Sequence, residues 1–249
     1  MTCPAAAGAE RSRAKACPER SEGNLLLLAA AGRTVRDASI CFLDQRFYSS
    51  LLTSFRCVKI GPEVSEVPIK TQATIGDLYH VPENGKAEIV NGELRLMAPT
   101  GDLPGSAADE VFVSLRAHAR RTGVGRAYGD NKGFIVSLPN RKSFSPDAAY
   151  YIGPRTGGRF LEGAPIFAVE VRSEGDYGPA AEREMAAKRR DYFAAGAQVV
   201  WDVDVLRSEV VRVHRAADPD SPKVYRRGEL AEAEPAVPGW TMPVEDLFS

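Results

Sequence analysis

Asp147, Glu170 and Glu88 are acids set into segments that otherwise read as β-strands, and Lys188 is a base on a helix further along. The stretch FAVEVRS (167–173) shows the pattern most plainly. Phe167, Val169 and Val171 point one way in an extended chain, while Ala168, Glu170 and Arg172 point the other. An acid in such a run is costly unless it is paired or holds a cation. Carboxylates that converge at a strand edge suit a hard cation such as Mg²⁺, which takes oxygen ligands and keeps several waters. An ion held in this way can activate water and offset charge on a phosphoryl oxygen. A fixed lysine would complete such a centre by stabilising the charge that develops at phosphorus.

Each of these residues also has a plainer use. Glu88 faces Arg95 across a hairpin and could form a cross-strand ion pair. Asp147, after Ser145-Pro146, could be a turn residue at strand entry. Glu170 could pair with Arg172 alone. Lys188 falls on one helical stripe with Met185 and Tyr192, which turns it toward the core, whereas a surface pair with Glu184 would leave it outside. His118 reads as a packed or surface residue and not as a ligand.

The elements that must position these groups begin near residue 70. Thr74 can cap a short helix through Leu78. AEIV-NG-ELRLM (87–97) reads as a hairpin, because Asn-Gly suits the turn that matches strand twist. Ser106 and Asp109 resemble a capping box. Val111, Phe112, Leu115 and Ala119 then form an apolar stripe on a helix that Gly123 can end. Strands are expected at about 126–138, 147–152 and 166–172. A second helix runs from near Pro179 to Gly196, and QVVWDVDV (198–205) and EVVRVHR (209–215) form a strand pair. The order is that of an α/β domain over one sheet.

At 249 residues with net charge −1, the chain has room for one large domain, and it carries no apolar run long enough for a membrane span. A cytoplasmic setting and no membrane partner are expected. Cys3, Cys17, Cys41 and Cys57 match no zinc spacing, and three histidines leave little material for a His-based site. Residues 1–68 read as a poorly ordered extension with a short helix around 24–31. ACPERSEG (16–23) resembles a translated repetitive DNA element, which raises a mis-set start codon. Residues 69–249 are expected to form the folded domain.

PD (146–147), EVRS (170–173) and a lysine on the following helix resemble the PD-(D/E)xK nuclease superfamily, and more closely its Uma-type restriction endonuclease family. The likeness extends through EIVNGEL, GFIV, SPDAAYY, EGAPIFAVEVRSEGD, the K-x-x-x-Y-F-x-x-G helix end at 188–196, VVWDVD and VPGWTMPVEDLF. The resemblance implies a restriction-endonuclease-like core, a mixed β-sheet flanked by α-helices, that cuts DNA with Mg²⁺ or Mn²⁺. It implies Asp147, Glu170 and the Val171 backbone carbonyl as metal ligands, Lys188 in the lysine role, and Glu88 as an assisting acid. Two departures stand out. LPGS, with Pro104, replaces a stretch where members often carry a histidine, and Arg172 takes the superfamily's usual lysine position. Basic residues expected to contact DNA are Arg120, Arg121, Arg126, Arg141, Lys142 and Arg172. A homodimer would give two cuts. The rival expectation is a non-catalytic nucleic-acid-binding or interaction module that kept the fold; an esterase lacks any G-x-S-x-G elbow.

Overall fold

The structure is a computed structural model that describes residues 72–249. The expected extension over 1–68, its helix and the four cysteines lie outside the described residues. The elements are α1 (Ile75–Leu78), β1 (Ala87–Val90), β2 (Glu93–Leu96), α2 (Asp102–Thr122), β3 (Arg126–Tyr128), β4 (Phe134–Ile135), β5 (Ser143–Phe144) and β6 (Ala148–Tyr151). They continue with β7 (Leu161–Glu162), β8 (Phe167–Val171), α3 (Pro179–Ala194), β9 (Val199–Val203), β10 (Val211–Arg215), β11 (Asp218–Tyr225), β12 (Leu230–Glu232) and β13 (Thr241–Pro243).

Six strands form the main sheet in the order β11-β10-β9-β8-β6-β3. β8 and β9 run parallel, with α3 as their crossover, and the other pairings are antiparallel. This is a mixed sheet with helices on both faces. Alternation along β8 divides the core: Phe167, Val169 and Val171 pack with Ala107, Val111 and Leu115 of α2, whereas Ala168 packs with Tyr192 of α3. On the α2 face Phe167, Trp201 and Trp240 meet with ring centroids 5.1–5.6 Å apart, so the C-terminal segment closes over the sheet. Burying each such ring contributes on the order of 2–3 kcal/mol. Among the described residues no helix is long and apolar enough to cross a membrane.

Local signals explain most boundaries. Thr74 and Asp77 form a capping box on α1. Asn91 and Gly92 adopt φ of 53° and 77°, the positive pair that a type I′ hairpin needs. Gly123 ends α2 in the left-handed region at φ 72°. Two expectations change. α2 starts at Asp102, one turn before the Ser106 signal, because Pro104 sits among the first four positions, whose N–H groups have no intrahelical partner. The strand expected over 126–138 is two short ones, since Gly129-Asp130-Asn131 turns the chain and Asn131 takes φ 56°.

Candidate active site

Asp147 immediately precedes β6, and its amide donates to the Val169 carbonyl at 3.0 Å, extending the β6–β8 ladder. Its Oδ2 accepts from the Val171 amide at 2.7 Å, so Asp147 is fixed to the same strand end that carries Glu170. α3 lies across this end. Lys188 Nζ donates to Glu170 Oε2 at 2.7 Å and lies 3.0 Å from Glu88 Oε1. One turn on, the Tyr192 hydroxyl donates to Glu170 Oε1 at 2.6 Å. Asp147, Glu170, Lys188 and Glu88, expected from sequence, therefore lie in one linked cluster, with side chains between 6% and 15% exposed.

The sequence question about Glu170 has a definite answer. Its cation is Lys188, and Arg172 turns to other partners. Arg172, 3% exposed, donates to both oxygens of Asp202 at 2.7 Å and also reaches Glu182 on α3. Glu88 likewise does not use Arg95, its register partner in β2. It accepts from Arg141 at 2.5 Å and from the Ser145 amide at 2.8 Å. Arg141 also donates to Asp191 at 2.8 Å. The 140–142 segment is tied to β1 by backbone bonds from Asn91 to Asn140 and from Lys142 to Ile89, which bring Glu88 to the sheet end.

These placements correct part of the expected DNA-contact set. Arg141 and Arg172 are buried in ion pairs and do not present their charge to solvent. Arg126 is half-buried, donating to Tyr128 Oη at 3.1 Å and to the Gly153 carbonyl. Arg120 and Arg121 are exposed at the end of α2, the helix on the opposite face of the sheet from α3. Lys142 is exposed and donates to the Leu138 carbonyl. Removing Arg172 leaves Asp202, which is 2% exposed, short of its main partner. Arg172→Met is expected to cost about 3–5 kcal/mol, read as a lower urea midpoint at unchanged slope.

Lys86 was not anticipated. Its Nζ lies 2.5 Å from Asp147 Oδ1 and 2.6 Å from Asp130. Lys86 and Glu88 are two residues apart beside and within β1, so strand alternation places them on one face; that was the available signal. A pairing with the distant Asp130 and Asp147 has no local signature.

Charge shifts follow from this crowding. Burial, with Asp147 and Glu88 nearby, outweighs Lys188 and pushes the Glu170 carboxyl up to about 6. Burial opposes the ammonium of Lys188, but Glu170 and Glu88 outweigh it and raise the lysine above its ordinary value. Glu88 is held below the usual carboxylate range, because Lys188, Arg141 and the Ser145 amide together overcome its burial.

The donor set suits a hard cation. Asp147 and Glu170 offer oxygen only, and Mg²⁺ is commonly held by one or two carboxylates with waters completing its shell. Among the described residues no three or more acids, histidines or cysteines group to hold an ion together. The set is therefore one of two carboxylates and not three. Both are engaged by ammonium groups, so an entering cation must displace Lys86 from Asp147 or Lys188 from Glu170. Beside them the buried Ser145 hydroxyl has no hydrogen-bond partner among the described residues.

A model of the family described as "Uma2: Putative restriction endonuclease" matches residues 75–245. No protein of curated function matches the chain. Among solved structures, it is similar to one described as a putative nuclease belonging to DUF820 from Anabaena variabilis ATCC 29413. The TM-score is 0.56 at 17% identity, covering 71% of this chain and 97% of that one, which is a likeness of fold.

Proposed function

The chain belongs to the Uma2 family of putative restriction endonucleases, and from that premise we propose that it is a divalent-metal-dependent endonuclease acting on DNA. The observation that carries this reading is the meeting of Asp147, Glu170 and Lys188 at one sheet end. Asp147 and Glu170, with the Val171 carbonyl, would hold Mg²⁺ or Mn²⁺. The ion would supply Lewis acidity to a phosphoryl oxygen and a water of lowered pKa.

Lys188 acts as a hydrogen-bond donor and fixed charge. Its raised pKa keeps it an ammonium at neutral pH, which leaves it unable to take a proton from water. Of its three N–H groups, two face Glu170 and Glu88, leaving one for the attacking water or a phosphoryl oxygen. Glu88, pinned by Arg141 and the Ser145 amide, is a positioning residue that aims Lys188. Tyr192 does the same for Glu170. A pair of chains would bring one such centre to each strand of a duplex, so a homodimer is part of this reading, as is a cytoplasmic setting where DNA is met.

One observation favours a second reading, a non-catalytic nucleic-acid-binding or interaction module. Both oxygens of Asp147, Glu170 and Glu88 are already engaged by protein donors. Calorimetric titration of Mn²⁺ separates the two. The nuclease reading expects binding that Asp147→Asn removes; no heat at millimolar metal supports the module.

Two further outcomes follow. Lys86→Met frees Asp147 Oδ1 of its ammonium and is expected to tighten Mn²⁺ binding by about tenfold, about 1.4 kcal/mol. The raised Glu170 pKa sets a pH dependence. Below about 6 a proton competes with the ion for this carboxylate, so Mn²⁺ affinity falls by about tenfold per pH unit and flattens above it. An affinity that rises on acidification contradicts that sign.

A further inference from the structure

Lys132, Arg155 and Arg159 are exposed basic side chains that line one cavity of about 320 Å³. Lys132 Nζ donates to the Asp130 carbonyl at 3.2 Å, and none of the three is held in an ion pair among the described residues. That sets them apart from Arg141, Arg172 and Lys188, whose charges are taken up internally. The cavity adjoins the candidate centre through a short chain of contacts. Its wall at Asn131-Lys132-Gly133 starts at the residue after Asp130, and Asp130 shares Lys86 with Asp147.

The walls are constructed with some care. Arg126 donates to the Tyr128 hydroxyl and to the Gly153 carbonyl, fixing one wall and the root of the 153–160 loop together. Gly133 lets Phe160 close on the other side, since a Cβ there would stand 2.6 Å from the ring. Phe160, which lines the cavity, is braced from behind by stacking on Tyr79 at 4.2 Å between centroids. Guanidinium and ammonium groups outside ion pairs are what a phosphodiester backbone engages.

We propose that this cavity is the DNA-backbone subsite of the centre, with Lys132, Arg155 and Arg159 contacting the phosphates beside the bond to be cut. The assignment rests on the nuclease reading above, and it moves the DNA contacts away from the end of α2. Arg126 becomes a positioning residue for the subsite.

The test is fluorescence anisotropy with a labelled DNA duplex of mixed sequence in EDTA, so that binding is read apart from cleavage. The full chain is compared with a Lys132→Ala/Arg155→Ala/Arg159→Ala variant. A control, Arg116→Ala/Arg207→Ala/Arg226→Ala, removes the same charge elsewhere. Thermal melts confirm that both fold. The subsite variant is expected to bind at least about tenfold more weakly, and its slope of log affinity against log salt to shrink by about 2–3, near 0.9 per lost phosphate contact. The control keeps most of the slope. Overturning results are a subsite variant that matches the unaltered chain, a control that loses as much, or no binding by any of them. If the variant binds as before while Asp147→Asn no longer cuts, the subsite falls and the nuclease reading stands. If the variant loses binding while Asp147→Asn cuts normally, DNA binding by this cavity stands and the centre assigned to Asp147 falls.

Discussion

Replacing Lys188 with methionine is expected to lower DNA cleavage by about a hundredfold or more and to destabilise the fold by about 3–5 kcal/mol. Both effects come from the same ammonium. It sits between Glu170 and Glu88, whose side chains are 12% and 6% exposed, and without it two buried carboxylates face each other with no shared cation. A loss of activity alone would thus be open to a folding explanation. The double variant Lys188→Met/Glu88→Gln separates the two, because it lightens the buried negative charge left without Lys188 while keeping both carboxylates proposed to hold the metal, Asp147 and Glu170. It is expected to regain much of the stability, read from urea unfolding, and none of the cleavage. If cleavage returns along with stability, Lys188 is only a structural counter-ion and its assigned role is wrong.

Asp147→Asn should have an equally large effect on cleavage and a smaller one on stability than Lys188→Met, since Lys86 loses one of its two carboxylates but keeps Asp130. The asparagine side-chain oxygen can still accept from the Val171 amide, so the strand-end geometry is kept. What is lost is a negative charge needed by a divalent ion. Cleavage is expected to fall by at least about a hundredfold, the scale of removing one preorganised charge-stabilising group, with the urea midpoint lowered by less than in Lys188→Met. Binding of DNA in EDTA should persist, since the phosphate contacts proposed above lie on Lys132, Arg155 and Arg159.

Local pattern made the scaffold legible before any coordinates. Asn91-Gly92 specified a hairpin and Gly123 a helix end, because each depends on backbone geometry that few residues adopt. The helical stripe of Met185, Lys188 and Tyr192 correctly turned Lys188 inward, and it meets Glu170 there. What the sequence did not disclose were partnerships between segments distant along the chain. Arg141 looked like a loop cation for DNA, yet it is drawn in by Glu88 and Asp191. Arg172 shares a strand face with Glu170 but pairs with Asp202 on β9, since side chains two apart on one strand stand side by side while a neighbouring strand offers a facing partner. Lys86 escaped notice for the same reason. An ion pair depends on where two strands meet, and spacing along the chain carries no record of it. The start of α2 was missed because Ser106 and Asp109 imitate a capping box, while Pro104 is tolerated inside the first turn.

The centre at Asp147, Glu170 and Lys188 is tested most directly on supercoiled plasmid DNA. Unaltered protein and Asp147→Asn are each incubated with Mg²⁺, with Mn²⁺ and with EDTA, and the products separated on a gel. The account predicts nicked or linear DNA from the unaltered protein with a divalent ion, and intact plasmid in every other lane. Equal cutting by Asp147→Asn, or cutting that survives EDTA, contradicts it.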